Sequence, residues 1–510
     1  MLSDAAPMIQ RSRRFVSLLL AFLLPLPAGE AQPALKNTGF QRGITLPRPP
    51  AGPPDAWSHG TGLPGAGLAD AGLPDAVLPD AGPPTDRPLS AAQTAGLRAV
   101  LERASASGKG GLRLGLLIAD AQSGKTLFAR APDEPSVPAS NMKLLSLGAA
   151  VYGLGPEYWF STSVTRPTGM GDHPAHLTLV GGGDPSLELA MGEHSLAGLA
   201  LQVHAAGVRS VGNLLLDAHL IGAAAGTQEA GWSVPVVERP VSGLTLNDPT
   251  AGDGATLTTT PDAHAALLNL GGNWRAALER AGVRVTGTVQ IQGARIQTAQ
   301  PGGRPEEGLA TTRSAPLAEL ARAALKRSDN VWTEQLYARL GVNTRTPLWR
   351  PASPLHARAQ ELALLERAGA ETDRLVIQDG SGLSERNRLT PRALVRLLRY
   401  VYLHPLGTEL PPKSAYVQRK NLLIEALPRA GTGTASKQAA LLGGTLAGRL
   451  SGLDVRAKTG TLPGVSALSG YLSTRRGRVL VFSILMNGYG GPGQDLRRVQ
   501  DALLRAVAAD

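Results

Sequence analysis

"VPASNMKLLSLGAA", residues 137–150, places Ser140 three positions before Lys143 at the front of an apolar stretch. The stretch reads as a helix, and residues three apart on a helix share a face, so the Lys143 amine reaches the Ser140 hydroxyl. A serine hydroxyl is a poor nucleophile until a base takes its proton. A neutral lysine does this when burial or a second cation lowers its pKa. The plain alternative is a serine near a helix start beside a surface lysine. Lysine is scarce in this chain, however: it stands only at 36, 109, 125, 143, 326, 413, 420, 437 and 458, and the other 42 of the 51 basic residues are arginines. Arginine cannot lose its proton and lysine can, so each retained lysine carries weight. Lys143 is also the only lysine that follows a serine at this spacing.

Two further motifs stand downstream. "APLAELARAALKRSDNVWTEQLYARLG" (315–341) reads as helix, short break, helix, and the break holds Ser328, Asp329 and Asn330. A hydroxyl and a carboxamide on one side of such a break can relay a proton and hold a substrate amide. The plain alternative is a capping turn, since Ser, Asp and Asn are favoured helix N-caps. "RAKTGTLPG" (456–464) contains Lys458, Thr459, Gly460 and Thr461. At a strand edge it supplies a cation, a hydroxyl and a glycine that permits close backbone approach. Lys458 is also the second cation that would lower Lys143.

Around these motifs the folded part begins near Ser90 with a helical run, "SAAQTAGLRAVLERA". "LRLGLLIAD" and "TLFAR" follow as strands joined by "AQSGK". The stretch "ADAQSGKT" (119–126) nearly spells a phosphate-binding loop. Such a loop needs a helix after the Lys-Thr pair, and a strand continues instead, so a hairpin turn is the reading. Residues from about 151 to 310 are a mixed region with turn signals at "GGGDPS" (181–186) and "NLGGN" (269–273). "SGYLSTRRGRVLVFSILMNG" reads as a hairpin and "LRRVQDALLRAVAAD" as a closing amphipathic helix. Strands and helices from both ends of the chain therefore form one α/β domain with a large insertion.

The chain of 510 residues is 43% hydrophobic and 18% charged, with net charge +11 and no cysteine. The length allows two or three domains, and the balance is that of a globular protein. The arginines are dispersed without a basic run or aromatic interleaving, which argues against nucleic-acid binding and for a solvated basic surface. Residues 1–31 have the form of an export signal: Arg11, Arg13 and Arg14, the apolar "FVSLLLAFLLPLPA" (15–28), then small residues Gly29 and Ala31. The apolar core is too short for a comfortable membrane span. Residues 32–89 are rich in Pro, Gly and Ala and repeat a degenerate pentapeptide, GLPGA, GLADA, GLPDA, VLPDA (62–81). They read as a tether without chemistry. The absence of cysteine leaves no disulfide framework and no lipoprotein attachment site.

S-x-x-K, S-x-N and K-T-G in this order are the signature of serine penicillin-binding proteins and the related β-lactamases. The flanking segments narrow the match. "VPASNMKLLSLGAAVYGLGPEYWF", "LVGGGDPSL" (179–187), "VSGLTLNDP" (241–249), "DGSGLSERNRLTP" (379–391) and "AKTGTLPGVSALSGYL" (457–472) resemble the low-molecular-mass class C penicillin-binding proteins. That is the D-alanyl-D-alanine carboxypeptidase/endopeptidase family, peptidase family S13. The resemblance covers most of residues 90–510 and none of the leader or tether. It implies an α/β (α+β) fold: a β-lactamase/transpeptidase-like serine hydrolase domain, residues 90–150 and 311–510, with an inserted mixed α/β domain, 151–310.

Carried over residue by residue, the resemblance makes Ser140 the acylated nucleophile and Lys143 its base. Ser328 and Asn330 serve proton transfer and substrate positioning, and Lys458 completes the polar network. Thr459 and Thr461, beside Gly460, hold the terminal D-alanine carboxylate, and the amides of Ser140 and Thr461 form the oxyanion hole. Asp184 contacts the amino end of the peptide side chain, against the plain alternative of a turn aspartate. Where the family reads D-G-S-G-L-S-R, Glu385 replaces the arginine and Arg386 follows, which leaves the stem-peptide preference open.

The expected protein is an exported, periplasmic or cell-envelope enzyme acting on peptidoglycan stem peptides as carboxypeptidase, endopeptidase or both, and acylated by β-lactams. No metal or organic cofactor is implied, nor a nucleic-acid partner or stable membrane span. The rivals are a β-lactamase or esterase of the same fold, and a catalytically silent wall-binding or β-lactam-sensing protein. The long insertion and the DGSGLS segment argue against the first, and the complete nucleophile–base set against the second.

Overall fold

The two ends of the sequence meet in one sheet. The computed structural model describes residues 87–106, 111–189, 192–221, 240–247, 263–292, 306–342, 352–431 and 441–508. The expected export signal and nearly all of the tether lie outside the described residues. Strand β1 (Arg113–Asp120) pairs antiparallel with β12 (Val479–Asn487), Arg113 opposite Asn487. The full order is β10-β11-β12-β1-β2, with β2 at Thr126–Arg130, β10 at Asp454–Leu462 and β11 at Val465–Ser473.

β12 is buried at every position. This central strand is covered on both faces, which is why "VLVFSILMN" shows no polar alternation. On one face Leu116, Ile118, Phe482 and Ile484 pack with helix α1 (Ala91–Ala106) and the last helix, α11 (Gly493–Ala508). On the other, Leu117, Tyr471, Val481 and Leu485 share a core with α2 (Met142–Leu154), α6 (Asn330–Leu340), α7 (Pro354–Arg367) and α8 (Pro391–Leu403). The result is three layers, helices over and under a sheet.

The β1–β2 connection is the expected hairpin. The Asp120 carboxylate accepts from the Gln122 and Ser123 amides at 3.0 and 2.8 Å, and Gly124 takes φ 77°. Strand follows Lys125, leaving no helix N-terminus to face a phosphate.

A second sheet has the order β8-β6-β4-β3-β9. Its strands are β3 (Ser161–Pro167), β4 (His176–Gly181), β6 (Asn213–Asp217), β8 (Val289–Ile291) and β9 (Glu306–Arg313). Its separate core includes Leu177, Leu179, Leu214 and Leu216, with Leu199 of α3 (Leu196–Ala205) and Trp274 of α4 (Ala263–Arg280). β9 runs across residue 310, where the sequence places the end of the insertion.

"NLGGN" is not a turn: it lies inside α4. A Cβ on Gly271 would stand 2.3 Å from Val289 Cγ1 and 3.0 Å from Leu216 Cδ1, so the glycine lets the helix press onto the sheet. The second sheet reaches the first unit through α6: the Gln335 carboxamide donates to the Ser242 carbonyl and accepts from the Ser242 amide.

Candidate active site

Ser140 sits in a single 3₁₀ turn, Ala139–Asn141, and the α-helix starts behind it at Met142. The expected one-helix geometry is thus a tight turn joined to a helix, and Ser140 still faces Lys143. Ala139 takes φ 46°, a left-handed conformation unusual for a residue with a Cβ. Three elements hold this turn. Asn487, at the end of β12, accepts from the Val137 amide at 2.7 Å and donates to the Val137 carbonyl at 3.1 Å. The Asn141 carboxamide donates to the Lys458 carbonyl at 3.0 Å. Two glycines then give it room. A Cβ on Gly460 would lie 2.8 Å from the Pro138 carbonyl oxygen, and one on Gly382 would lie 1.9 Å from that of Ala139. The backbone that approaches Gly460 closely is therefore that of the chain's own Ser140 turn.

Lys143 is fully buried. Its amine donates to Asn330 Oδ1 at 2.6 Å, the Ser381 carbonyl at 2.7 Å and Ser140 Oγ at 3.0 Å. Burial lowers its pKa to about 8, while Glu334, Asp379 and Asp329 pull the other way. Lys458 is fully buried too, and donates to Ser328 Oγ and the Thr459 carbonyl, both at 2.8 Å. Burial first, and then the charge of Lys143, push Lys458 well below the usual lysine value. The sequence reading had Lys458 lowering Lys143; burial is the leading cause there, and the repulsion between the two amines adds to burial at Lys458.

Ser328 and Asn330 combine the two readings of their motif. Ser328 ends α5 (Leu317–Arg327) with φ 58°, Asp329 caps α6 by accepting from the Trp332 amide, and Asn330 opens α6. The cap is Asp329, which frees its neighbours to face the two lysines. Thr459 and Thr461 lie on β10, the sheet edge. The Ala457 amide, on the open side of β10, donates to the Pro428 carbonyl at 3.0 Å. By strand alternation the amides of Thr459 and Thr461 face that same side. Thr459 donates to the exposed Thr445 hydroxyl at 2.7 Å, a rim residue that no motif announced.

Asp184 is not brought to this cluster by any hydrogen bond. It is buried, accepts from the Ser186 amide and hydroxyl at 2.8 and 2.7 Å, and pairs with His194 at 2.9 Å. These contacts favour the turn reading over substrate contact. Glu385 and Arg386 are both exposed. Sequence reasoning passed over Glu334 and Glu361, both buried beneath Lys143. The available signal was Glu334 one helical turn beyond Asn330, an acid on an inward-facing stripe.

A serine with two buried lysines, on the edge of an antiparallel sheet between helical layers, defines an acyl-transferring serine hydrolase of the penicillin-binding type. The family model for "D-Ala-D-Ala carboxypeptidase 3 (S13) family" matches residues 97–262 and 249–509. The chain is 30% identical to a D-alanyl-D-alanine carboxypeptidase of Actinomadura sp. strain R39, over 77% of this chain and 81% of that one. It is 29% identical to carboxypeptidase DacB of Mycolicibacterium smegmatis, over 83% and 86%. The fold resembles the crystal structure of penicillin binding protein 4 (dacB) from Haemophilus influenzae, with TM-score 0.58 and 20% identity over 80% of this chain and 97% of that one. The chain belongs to the S13 family of D-Ala-D-Ala carboxypeptidases.

Two expectations follow from this geometry. If Lys143 is the base, only its neutral amine reacts, and that form grows as pH rises, so acylation by labelled penicillin rises with pH through about 8. A rate that is flat or falls from about pH 6 to 9 removes Lys143 as the base. Gly382 has φ +83°, and the atom a Cβ would meet is backbone. Gly382→Ala therefore displaces the nucleophile turn, cutting acylation on the order of 10²-fold and lowering Tm. Wild-type acylation in that variant contradicts the assigned packing.

Proposed function

We propose that the chain is an exported serine D-Ala-D-Ala carboxypeptidase, DD-endopeptidase or both, acting on peptidoglycan stem peptides. In this reading residues 90–150 and 311–510 form the catalytic domain, 151–310 the insertion, 1–31 an export signal and 32–89 a tether. The placement is the periplasm or cell envelope. Among the described residues no helix is long and apolar enough to cross a membrane.

The observation that carries the chemistry is the set of partners on the Lys143 amine. A neutral amine has two hydrogens and one lone pair. Asn330 Oδ1 and the Ser381 carbonyl accept only, so they take both hydrogens, and the lone pair faces Ser140 Oγ. Ser140 gives its proton to Lys143 as Oγ attacks the carbonyl of the penultimate D-alanine. The amides of Ser140 and Thr461 receive the developing oxyanion, an arrangement of donors typically worth about 3–4 kcal/mol each. Ser328, bonded to Lys458, passes a proton to the leaving amine. Water then takes the place of that amine: it gives a proton to Ser328 as it attacks, Lys143 returns its proton to Ser140 Oγ, and the acyl group leaves as the shortened peptide's carboxylate. Thr459 and Thr461 hold the terminal carboxylate, beside Gly460 and Lys458. A β-lactam follows the same first step and leaves slowly.

The test is incubation with defined muropeptides, monomeric and cross-linked, followed by product analysis. Release of D-alanine supports carboxypeptidase action, and appearance of monomers from dimers supports endopeptidase action. Neither product from protein that takes the penicillin label sinks the proposed activity.

A further inference from the structure

One loop supplies an acceptor on which the base depends, and buried carboxylates hold it. The loop is Asp379–Gly382. Its Ser381 carbonyl takes one of the Lys143 hydrogens at 2.7 Å. Its amides are all engaged from behind: Gly380 and Ser381 donate to the two oxygens of Glu334 at 3.3 and 2.7 Å, and Gly382 donates to Asp379 Oδ1 at 2.7 Å. Asp379 also accepts from the Ser384 amide at 2.6 Å and the Asn387 carboxamide at 2.8 Å. Both acids are only 2% exposed.

Glu334 stands one helical turn beyond Asn330 on α6. The same helix therefore brings one acceptor to Lys143 directly and the other through the loop. Behind the loop, Ser146 lies within bonding distance of the Gly380 carbonyl, at 2.8 Å, and of Glu361 Oε1, at 2.7 Å. A hydroxyl has one hydrogen. If it goes to the carbonyl, the contact to Glu361 needs a protonated acid, and burial does push Glu361 well above the usual carboxyl range. The loop is thus supported at the Gly380 carbonyl as well as at its amides.

Resting on the reading of Ser140 as nucleophile and Lys143 as base, we propose that Glu334 and Asp379 are positioning residues for acylation. Together they hold the Asp379–Gly382 loop so that the Ser381 carbonyl takes one hydrogen of Lys143 and leaves the lone pair on Ser140. Their charge acts as well. Burial, and then Asp379, raise Glu334 to about 7, and burial raises Asp379. The titratable groups around Lys143 are Glu334 and Asp329 from α6 and its cap, Asp379 from the loop and Lys458 from β10, with Glu361 of α7 near Glu334.

The test uses the full-length protein, labelled penicillin and two variants. In Glu334→Gln the new amide sets a donor against the Gly380 N–H. Maximal acylation falls about tenfold or more, while the half-saturating penicillin concentration stays within about threefold. Asp379→Asn removes a negative charge beside Lys143, so its amine loses its proton more readily. The ascending limb of the acylation–pH profile then moves to lower pH, as the maximal rate drops. Loss of rate through misfolding alone does not move that limb, and circular dichroism gives the folded fraction for each variant.

Folded variants with the wild-type rate and limb, or rates lost only in proportion to folded fraction, overturn the proposal. If wild-type protein takes no label, the reading of Ser140 falls and the proposal with it. Labelled wild type with unaffected variants sinks the proposal alone.

Discussion

Ser140→Ala takes no penicillin label and releases no D-alanine, a loss on the order of 10⁴-fold or more. The side chain is half-buried, and the hydrogen bond its hydroxyl accepts comes from Lys143, so removing Oγ leaves the turn's supports in place. Asn487 still grips Val137, and Asn141 still grips the Lys458 carbonyl. Thermal unfolding therefore stays close to wild type, which separates lost chemistry from lost fold. Mass spectrometry of the labelled wild-type protein places the adduct on the peptide containing residue 140. An adduct on Ser328 or Ser381, the other serines at the two lysines, reassigns the nucleophile.

Lys143→Met leaves a folded protein whose acylation is slower by about 10²- to 10⁴-fold, the range a positioned base supplies. Methionine fills much of the lysine stem's volume, so packing around this fully buried position survives. Two acceptors, Asn330 Oδ1 and the Ser381 carbonyl, lose their donor, at about 1–3 kcal/mol each. Against that loss stands the relief of no longer burying an ionisable amine. The comparison that decides the base is Lys458→Met, measured in parallel at one pH above about 8. If that variant loses acylation and Lys143→Met retains it, the two lysines exchange roles. The Ser328 contact makes Lys458 suited to the leaving-group proton instead.

Much of the fold was legible because local chemistry and tertiary position agree. The alternation-free "VLVFSILMN" is buried on both sides, and "RSDN" both stops one helix and caps the next. Tertiary contact decided the rest. Gly271 and Gly272 look like a turn until Val289 and Leu216 press against the first of them. Asp184 sits in a motif-like segment, yet its carboxylate is spent on Ser186 and His194. Only its spacing from Asn330 marks Glu334 as buried, since its α6 neighbours Thr333 and Gln335 are polar and buried as well. The source of the low Lys143 pKa was equally hidden, because it is depth and no single partner.

Ala139 carries a further consequence. Its left-handed backbone is held by walls that arrive late in the chain: Gly382, Lys458 with Gly460, and Asn487. A partly folded chain has Ser140 and Lys143 but not those walls, so the turn has nothing to hold it in that conformation. Hydrolytic competence is a property of the closed sheet, switched on when its last strands take their places.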